Sequence, residues 1–255
     1  MIRIGTSGWQ YPDWRGAFYP DGLTRSGWLA HYATRFPTVE LNNSFYRLPE
    51  ASTFRRWRDE TPEGFVMVVK VSRYLTHVRR LREPDEPLAR LWERARPLGS
   101  RLGPLLFQLP PRFPVELQRL RGLLDAMPRD ASAAFEFRDP SWHTRAVYDV
   151  LERANAALVW PDRPGPICEL PLTADWGYVR LHQGGPARPG YGPARLRAWA
   201  DRIAASEASG FWVYFNNDAE AAAPRDALRL TELLRERAPD RLADALPSGR
   251  PTRSA

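Results

Sequence analysis

The stretch Ile2-Arg3-Ile4-Gly5-Thr6-Ser7-Gly8-Trp9-Gln10-Tyr11-Pro12 decides between two architectures. Its first five residues read as a short β-strand. A doubly wound open sheet would follow such a strand with a Gly-rich turn leading straight into a helix. No GxGxxG occurs here, and the chain passes instead into an aromatic, proline-rich loop from Trp9 to Pro20. Outward from this point, short β-rich runs alternate with stretches of helical period, the signature of parallel βα units. Further strands are predicted at 38–42, 65–71, 104–109, 133–138, 156–160, 177–182 and 211–216. Amphipathic helices are predicted at 28–35, 51–60, 88–98, 115–127, 144–154, 194–209 and 219–237, and only the interval 161–176 reads as loop. Eight strands with helical crossovers in 255 residues match a single (β/α)8 TIM-type barrel of the α/β class, with long loops at its C-terminal face. The barrel domain is expected over residues 1–238, followed by a frayed tail over 239–255, where Pro247, Gly249 and Pro251 crowd together.

Composition agrees with one core, since 43% of the residues are hydrophobic. Apolar runs are far shorter than the ~20 residues a membrane-spanning helix needs. Met1 opens into a strand and not into a leader, and a lone cysteine, Cys168, excludes internal disulfides. A cytoplasmic protein without a membrane partner is expected. Basic residues outnumber acidic ones, 37 to 30, and the pI is near 10.0, which favours an anionic small molecule or nucleic acid as partner. The excess is nearly all arginine and reads equally well as a solvated surface. Lys70 is the only lysine. In an arginine-saturated chain, such a position calls for a shorter point charge or an amine with a tunable pKa.

Strands covered by helices outside and packed core inside should be apolar throughout, and these are not. In the second strand Val39 and Leu41 face the helices, which turns Glu40 and Asn42 toward the barrel axis. By the same alternation Glu136 and Arg138, Arg180 and His182, and Tyr214 and Asn216 point inward, as do Arg3, Gln108 and Lys70. An unpaired buried charge costs several kcal/mol, so these side chains either pair with one another or serve a ligand. Four cations, Arg3, Lys70, Arg138 and Arg180, face two anions, Glu40 and Glu136, and the surplus calls for an anionic ligand. Barrel enzymes carry their chemistry at the carboxyl ends of the strands, where most of these residues lie.

The loops point the same way. His182-Gln183-Gly184-Gly185 and Asn216-Asn217-Asp218 suit a phosphate, although Asn217 or Asp218 serves equally as a helix N-cap. Trp14 and its aromatic neighbours could stack on bases or sugars, or pack as a lid against the rim. His182 is the best-placed group for acid/base work near neutral pH, with Glu40 or Glu136 as its complement. His77, on a loop, is the second choice, and His31 reads as structural. Lys70, Arg138 and Arg180 would hold an anion, which Asn42, Gln108, Tyr214, Asn216 and Asn217 would orient. Neither a GxSxG elbow nor an HExxH occurs. No cofactor is predicted. A divalent metal could draw on Glu40, Glu136, His182 and Asp218, against which the surrounding cations argue.

Gly5-Thr6-Ser7-Gly8-Trp9 with Tyr11, Trp14 and Phe18-Tyr19-Pro20, then Val39-Glu40-Leu41-Asn42 with Phe45-Tyr46-Arg47-Leu48-Pro49, resemble the opening of the YecE-like family, domain of unknown function 72. Matching motifs continue through Lys70-Val71-Ser72-Arg73, Thr76-His77, Leu105 to Pro111, Glu136-Phe137-Arg138, Ser141-Trp142, Tyr178 to His182 and Phe215-Asn216-Asn217-Asp218. The resemblance covers residues 1–235 and implies a TIM barrel, but no established reaction. Two positions depart from the family's usual pattern: Asp139 stands where histidine is usual, and Gln183 where glycine is. Activity that relied on the missing histidine would be altered here. The expected function is that of an enzyme acting on a phosphate-bearing or other anionic substrate by acid/base chemistry at the C-terminal mouth. Two alternatives stand beside it: a non-catalytic nucleic-acid-binding module and, by analogy of fold alone, a metal-dependent nuclease-like or isomerase-like barrel.

Overall fold

The computed structural model describes residues 1–167, 169–182 and 189–244. The strands are β1 Ile2–Thr6, β2 Thr38–Leu41, β3 Val66–Lys70, β4 Leu102–Gln108, β5 Ala133–Glu136, β6 Ala157–Pro161, β7 Gly177–Leu181 and β8 Phe211–Phe215. They form one parallel sheet in the order β1-β8-β7-β6-β5-β4-β3-β2. The remaining seam, between β1 and β2, is bridged at Ser7 and Glu40, where the Gly8 N–H donates to the Glu40 carbonyl at 2.8 Å. The result is a nearly closed (β/α)8 barrel. Every predicted strand is present, with ends moved by at most two residues.

The helices are α1 Trp28–Ala33, α2 Asn43–Tyr46, α3 Ala51–Asp59, α4 Asp85–Ala95, α5 Leu117–Asp125, α6 Arg145–Arg153, α7 Pro193–Ala204 and α8 Ala222–Arg237. The short α2 falls where the sequence predicts loop. The α4 helix passes into a 3-10 segment, Arg96–Arg101, which accounts for the predicted extension to 98. No helix among the described residues interrupts 161–176. None is long and apolar enough to cross a membrane.

Strand alternation sorts the core into two populations. Val39, Leu41, Phe135, Phe137, Val179, Leu181, Val213 and Phe215 join the large apolar shell between sheet and helices. Inside the barrel, Val68, Leu106, Ala134, Ala157, Val159, Tyr178 and Tyr214 pack as a separate cluster. This inner layer plugs the axis and forms the floor on which the inward-facing polar residues of the strand ends rest. Its two tyrosines find partners: the Tyr214 hydroxyl meets Thr38 Oγ1 at 2.6 Å and the Tyr178 hydroxyl donates to Glu40 at 2.6 Å.

Residues 239–244, assigned by sequence to the frayed tail, are tied to the barrel. Leu242 bridges Ile2, the Ala243 N–H donates to the Ile2 carbonyl at 2.8 Å, and the Arg241 guanidinium donates to the carbonyls of Ala204, Ser206 and Ala208. The prolines and glycine on which fraying was argued lie outside the described residues.

Closure at the β1–β2 seam requires Gly5, because a Cβ there would stand 2.2 Å from the Thr38 carbonyl oxygen. The obstacle is backbone and cannot swing aside. Gly5→Ala is expected to cost at least ~1–3 kcal/mol, read as a lower denaturation midpoint in urea with little change in slope.

Candidate functional site

At the C-terminal ends of the strands the site is built around Arg180, which is 1% exposed. Its Nε donates to Glu40 Oε2 at 3.0 Å and its Nη2 to Glu40 Oε1 at 2.8 Å, while Nη1 donates to Glu136 Oε2. Glu40 also accepts from Ser7 Oγ at 2.7 Å, in addition to Tyr178. Glu136 accepts from Gln108 Nε2 at 2.9 Å and from Arg138 Nε at 3.3 Å. Burial by itself would raise both carboxyls, and Arg180 reverses this. Glu40 lies below its ordinary pKa with help from Lys70 and Ser7, and Glu136 lies well below with help from His182 and Arg138. Both are therefore ionised at neutral pH, and Arg180 is held as a cation between them.

His182 follows β7 directly. Its Nδ1 faces Asn216 Nδ2 at 3.1 Å, and Asn216 Oδ1 in turn accepts from Asn42 Nδ2 at 3.4 Å. The Asn216 amide thus orients the ring from its Nδ1 side and turns Nε2 toward Glu136. Nε2 lies 3.9 Å from Glu136 Oε2 and is buried without a hydrogen-bond partner among the described residues, as is Asn42 Oδ1. Polar atoms buried in this way are rare in folded proteins and mark places where a ligand or water completes the bonding.

Lys70 ends β3. Its Nζ stands 4.3 Å from the centroid of the Phe45 ring, and the residue is 8% exposed. Burial lowers its pKa and Arg180 lowers it further, against the opposing pull of Glu40 and Glu136, leaving it at about 8. Beside it, burial and the charges of Arg73, Lys70 and Arg138 lower His77 to about 4. Lys70, Arg73 and Arg138 thus form a positive side of the mouth, over β3 to β5, around an uncharged His77 ring. The opposite side, over β1 and β8, carries Asp13 and Asp218, which help burial raise the Tyr11 hydroxyl. The β3 loop that presents His77 is a π-helical turn, Tyr74–Val78, followed by positive φ at Arg80, Leu81 and Glu83. Strained backbone of this kind concentrates at functional sites.

The structure gathers most of the sequence-predicted residues and displaces others. Glu40, Lys70, Gln108, Glu136, Arg138, Arg180, His182, Asn42 and Asn216 converge as expected. Arg3 does not: it sits at the opposite end of the barrel, its guanidinium 5.0 Å from the Trp212 ring. Without Arg3, the inward-facing strand residues carry a surplus of one positive charge, not two: Lys70, Arg138 and Arg180 against Glu40 and Glu136. Tyr214 belongs to the apolar floor and cannot reach a ligand at the mouth. Trp14 is fully buried, donating its indole N–H to the Asp218 carbonyl at 2.8 Å, so it offers no stacking face. It packs instead with Tyr11, Phe18 and Tyr19 in the loop after β1. Asn217 gives its amide nitrogen to the Pro189 carbonyl and Asp226, while its Oδ1 is buried without a hydrogen-bond partner among the described residues. Neither Asn217 nor Asp218 caps α8 with its side chain, and the Glu220 N–H ahead of that helix is taken by Asp13. Glu40 has both oxygens occupied and no exposed surface. Asp139, where the family usually has histidine, accepts from the Ser141 N–H and hydroxyl at 3.0 and 2.7 Å. Gln183, Gly184, Gly185 and Cys168 lie outside the described residues.

Sequence reasoning missed Ser7, Tyr178 and Phe45. The first two were within reach, since Ser7 continues the inward alternation Arg3, Gly5, Ser7 and Tyr178 that of Arg180. Phe45 gave no such signal, because it reaches Lys70 from the short α2 and not from a strand. Among the described residues no three His, Cys, Asp or Glu side chains are grouped so as to hold a metal ion. Glu40, Glu136, His182 and Asp218 do not form such a group, because Arg180 occupies the space between the two glutamates.

A family model described as protein of unknown function DUF72 matches residues 3–251. The chain belongs to this family. It is 33% identical over 146 residues to the UPF0759 protein YecE of Escherichia coli K12, covering 57% of this chain and 51% of that protein. It is 30% identical over 157 residues to the UPF0759 protein YunF of Bacillus subtilis 168, covering 58% and 55%. The matches thus span about half the length of these curated relatives. A crystal structure of a DUF72 family protein from Thermotoga maritima MSB8 superposes with a TM-score of 0.81 at 28% identity, over 92% of this chain and 99% of that one. A second, from Enterococcus faecalis V583, gives 0.78 at 21% identity, over 97% and 98%, and speaks for the fold alone. DUF72 is thus a barrel family without an established activity.

Two outcomes follow from the site's electrostatics. Arg180→Met leaves two carboxylates facing each other in the core and is expected to cost ~3–5 kcal/mol. In the wild type, Glu40 and Glu136 stabilise the fold above the unfolded glutamate pKa of about 4.3 and lose that contribution as pH falls through their lower folded values. Thermal denaturation between pH 7 and pH 2 checks both. For Lys70 the sign is opposite, since the folded pKa lies below the unfolded one and the charged amine costs stability at neutral pH. Lys70→Met is expected to gain roughly 1–3 kcal/mol at pH 7, the difference shrinking from about pH 8 to 10 as the wild-type amine loses its proton. Paired urea titrations across that range measure it.

Proposed function

We propose that this DUF72 protein is an enzyme that binds an anionic substrate on the Lys70–Arg138 side of the barrel mouth and acts on it by acid/base chemistry through His182. One observation carries the reading: an imidazole oriented by Asn216, with Nε2 buried, unpartnered and beside a carboxylate. A ring oriented through one nitrogen with its second nitrogen free is arranged to donate or accept a proton at that atom. Glu136 faces the same atom and stabilises the imidazolium when it forms. The Arg180–Glu40 pair, closed on all sides, positions Glu136 and takes no proton itself. The half-exposed Arg138 guanidinium and the Lys70 ammonium, which has no ion pair among the described residues, supply the charge that draws an anion in.

A second reading, nucleic-acid binding without turnover, draws on a different observation. Tyr46 at the end of α2 and Tyr74 in the π-helical turn after β3 are 82% and 46% exposed, with the Arg79 guanidinium 5.3 Å from the Tyr74 ring. Exposed rings beside arginine suit unpaired bases.

The chain has four histidines, which makes a ring-proton NMR titration decisive. Added inorganic phosphate is expected to shift His182 and His77 while leaving His31 and His143 in place, and Arg138→Ala is expected to weaken the effect about tenfold. Absence of any shift at His182, or equal shifts at all four rings, would refute the anion site. A single-stranded oligonucleotide that shifts His77 alone, with binding lost in Tyr46→Ala, would favour the second reading. Turnover found with any phosphorylated compound is expected to fall ~10²–10⁴-fold in His182→Gln with binding retained.

A further inference from the structure

We propose that Lys70 is an amine nucleophile, forming an imine with an aldehyde or ketone carbonyl in the substrate; the substrate class is then a small carbonyl compound that also bears a carboxylate or phosphate. This rests on the anion-binding reading of the mouth and goes beyond it by naming the reactive group.

Three observations point to Lys70. It is the single lysine in a chain whose other basic residues are arginine, and a guanidinium would hold an anion at least as well, with two parallel hydrogen bonds. What arginine cannot supply is an amine lone pair. Second, Lys70 stands at the mouth end of β3 without an ion pair among the described residues, although two glutamates are near. Arg180 takes both carboxylates, leaving Nζ against the Phe45 ring, a seat that tolerates either the ammonium or the neutral amine. Third, Lys70 is buried beside the like charges of Arg180 from β7 and Arg138 after β5, which oppose its protonation against the pull of Glu40 and Glu136. The lowering to about 8 described above makes a free-amine fraction available near neutral pH, as amine nucleophiles require.

The chemistry closes without an outside reagent. The lone pair of the neutral amine attacks the carbonyl carbon, the C–N bond forms, and the carbonyl π pair moves to oxygen, which becomes a hydroxyl as the nitrogen releases a proton. A proton from the imidazolium form of His182 then converts that hydroxyl to water. The C–O bond breaks as water departs, leaving a protonated C=N bond on Lys70. No electrons are gained or lost, and one water is released. The protonated imine withdraws electrons from the adjacent carbon, which is how an amine enzyme activates a neighbouring C–H or C–C bond. Arg138 lies where an anionic group on the same small molecule would be held.

The single lysine makes the test direct, because the only other amine is the α-amino group of Met1, at the opposite end of the barrel. The full-length protein is incubated near pH 7.5 with glyoxylate and cyanoborohydride, which reduces any imine to a stable secondary amine, and the adduct is located by peptide mass spectrometry. In parallel, glycolaldehyde serves as an uncharged aldehyde of similar size. Glyoxylate is expected to label Lys70 at least tenfold faster than Met1, to be slowed by inorganic phosphate, and to outpace glycolaldehyde at Lys70. Lys70→Arg should lose the adduct while phosphate still shifts His182. Labelling of Met1 alone, or of Lys70 no faster than Met1, overturns the proposal even if phosphate binds. Fast labelling of Lys70 by both aldehydes, unaffected by phosphate, leaves the amine nucleophile standing and removes the anion site.

Discussion

The ion-paired Arg180 holds the upper half of the barrel together. A guanidinium buried at the end of β7 reaches β2 through Glu40 and β5 through Glu136, so three strands spread around the circumference are tied across the axis. Each charge costs several kcal/mol to desolvate, and the cost is met only because both carboxylates accept from several donors at once. Ser7 and Tyr178 complete Glu40, and Gln108 and Arg138 complete Glu136. The arrangement explains why an apolar floor lies directly beneath it: Val68, Leu106 and the two tyrosines exclude water from below and keep the pairs strong.

What Arg180 takes determines what the other groups are free to do. With both glutamates committed to Arg180, Lys70 is left without an ion pair and His182 with one nitrogen lacking a hydrogen-bond partner among the described residues. A salt-bridged core and a functional site are therefore not competing descriptions. The closed triad is the frame, and the residues it leaves unsatisfied around its rim are the ones with chemistry available. Stability and reactivity are divided between neighbours that look equivalent in sequence, Glu40 beside Glu136 and Arg180 beside Lys70.

The aromatic loop after β1 belongs to the same division. Trp14, Phe18 and Tyr19 mix aromatics with arginine in a way that suits base stacking, yet their rings stack on one another and on α1, with Tyr19 and Trp28 4.7 Å apart and nearly parallel. They pack against α1, the helix that joins β1 to β2, and reach the segment after β8 through the Trp14 indole. The rings that remain exposed, Tyr46 and Tyr74, lie across the mouth beside the cationic side.

Alternation within short strands is local geometry, so the sequence alone determined the barrel, the strand ends to within two residues, and the inward parity of Glu40, Lys70, Gln108, Glu136 and Arg180. The turn chemistry of Gly5 to Pro20 was sufficient to turn the reading away from an open sheet. Height along the axis was not legible, because parity gives the side of a strand and not the level at which a side chain meets its neighbours. Arg3 and Tyr214 share the inward parity of the site and lie below it for that reason. Nor could pairing be read. Whether a buried carboxylate is saturated or open depends on donors from strands far apart in the chain, such as Ser7 and Tyr178 on Glu40, and only closure of the barrel brings them into contact.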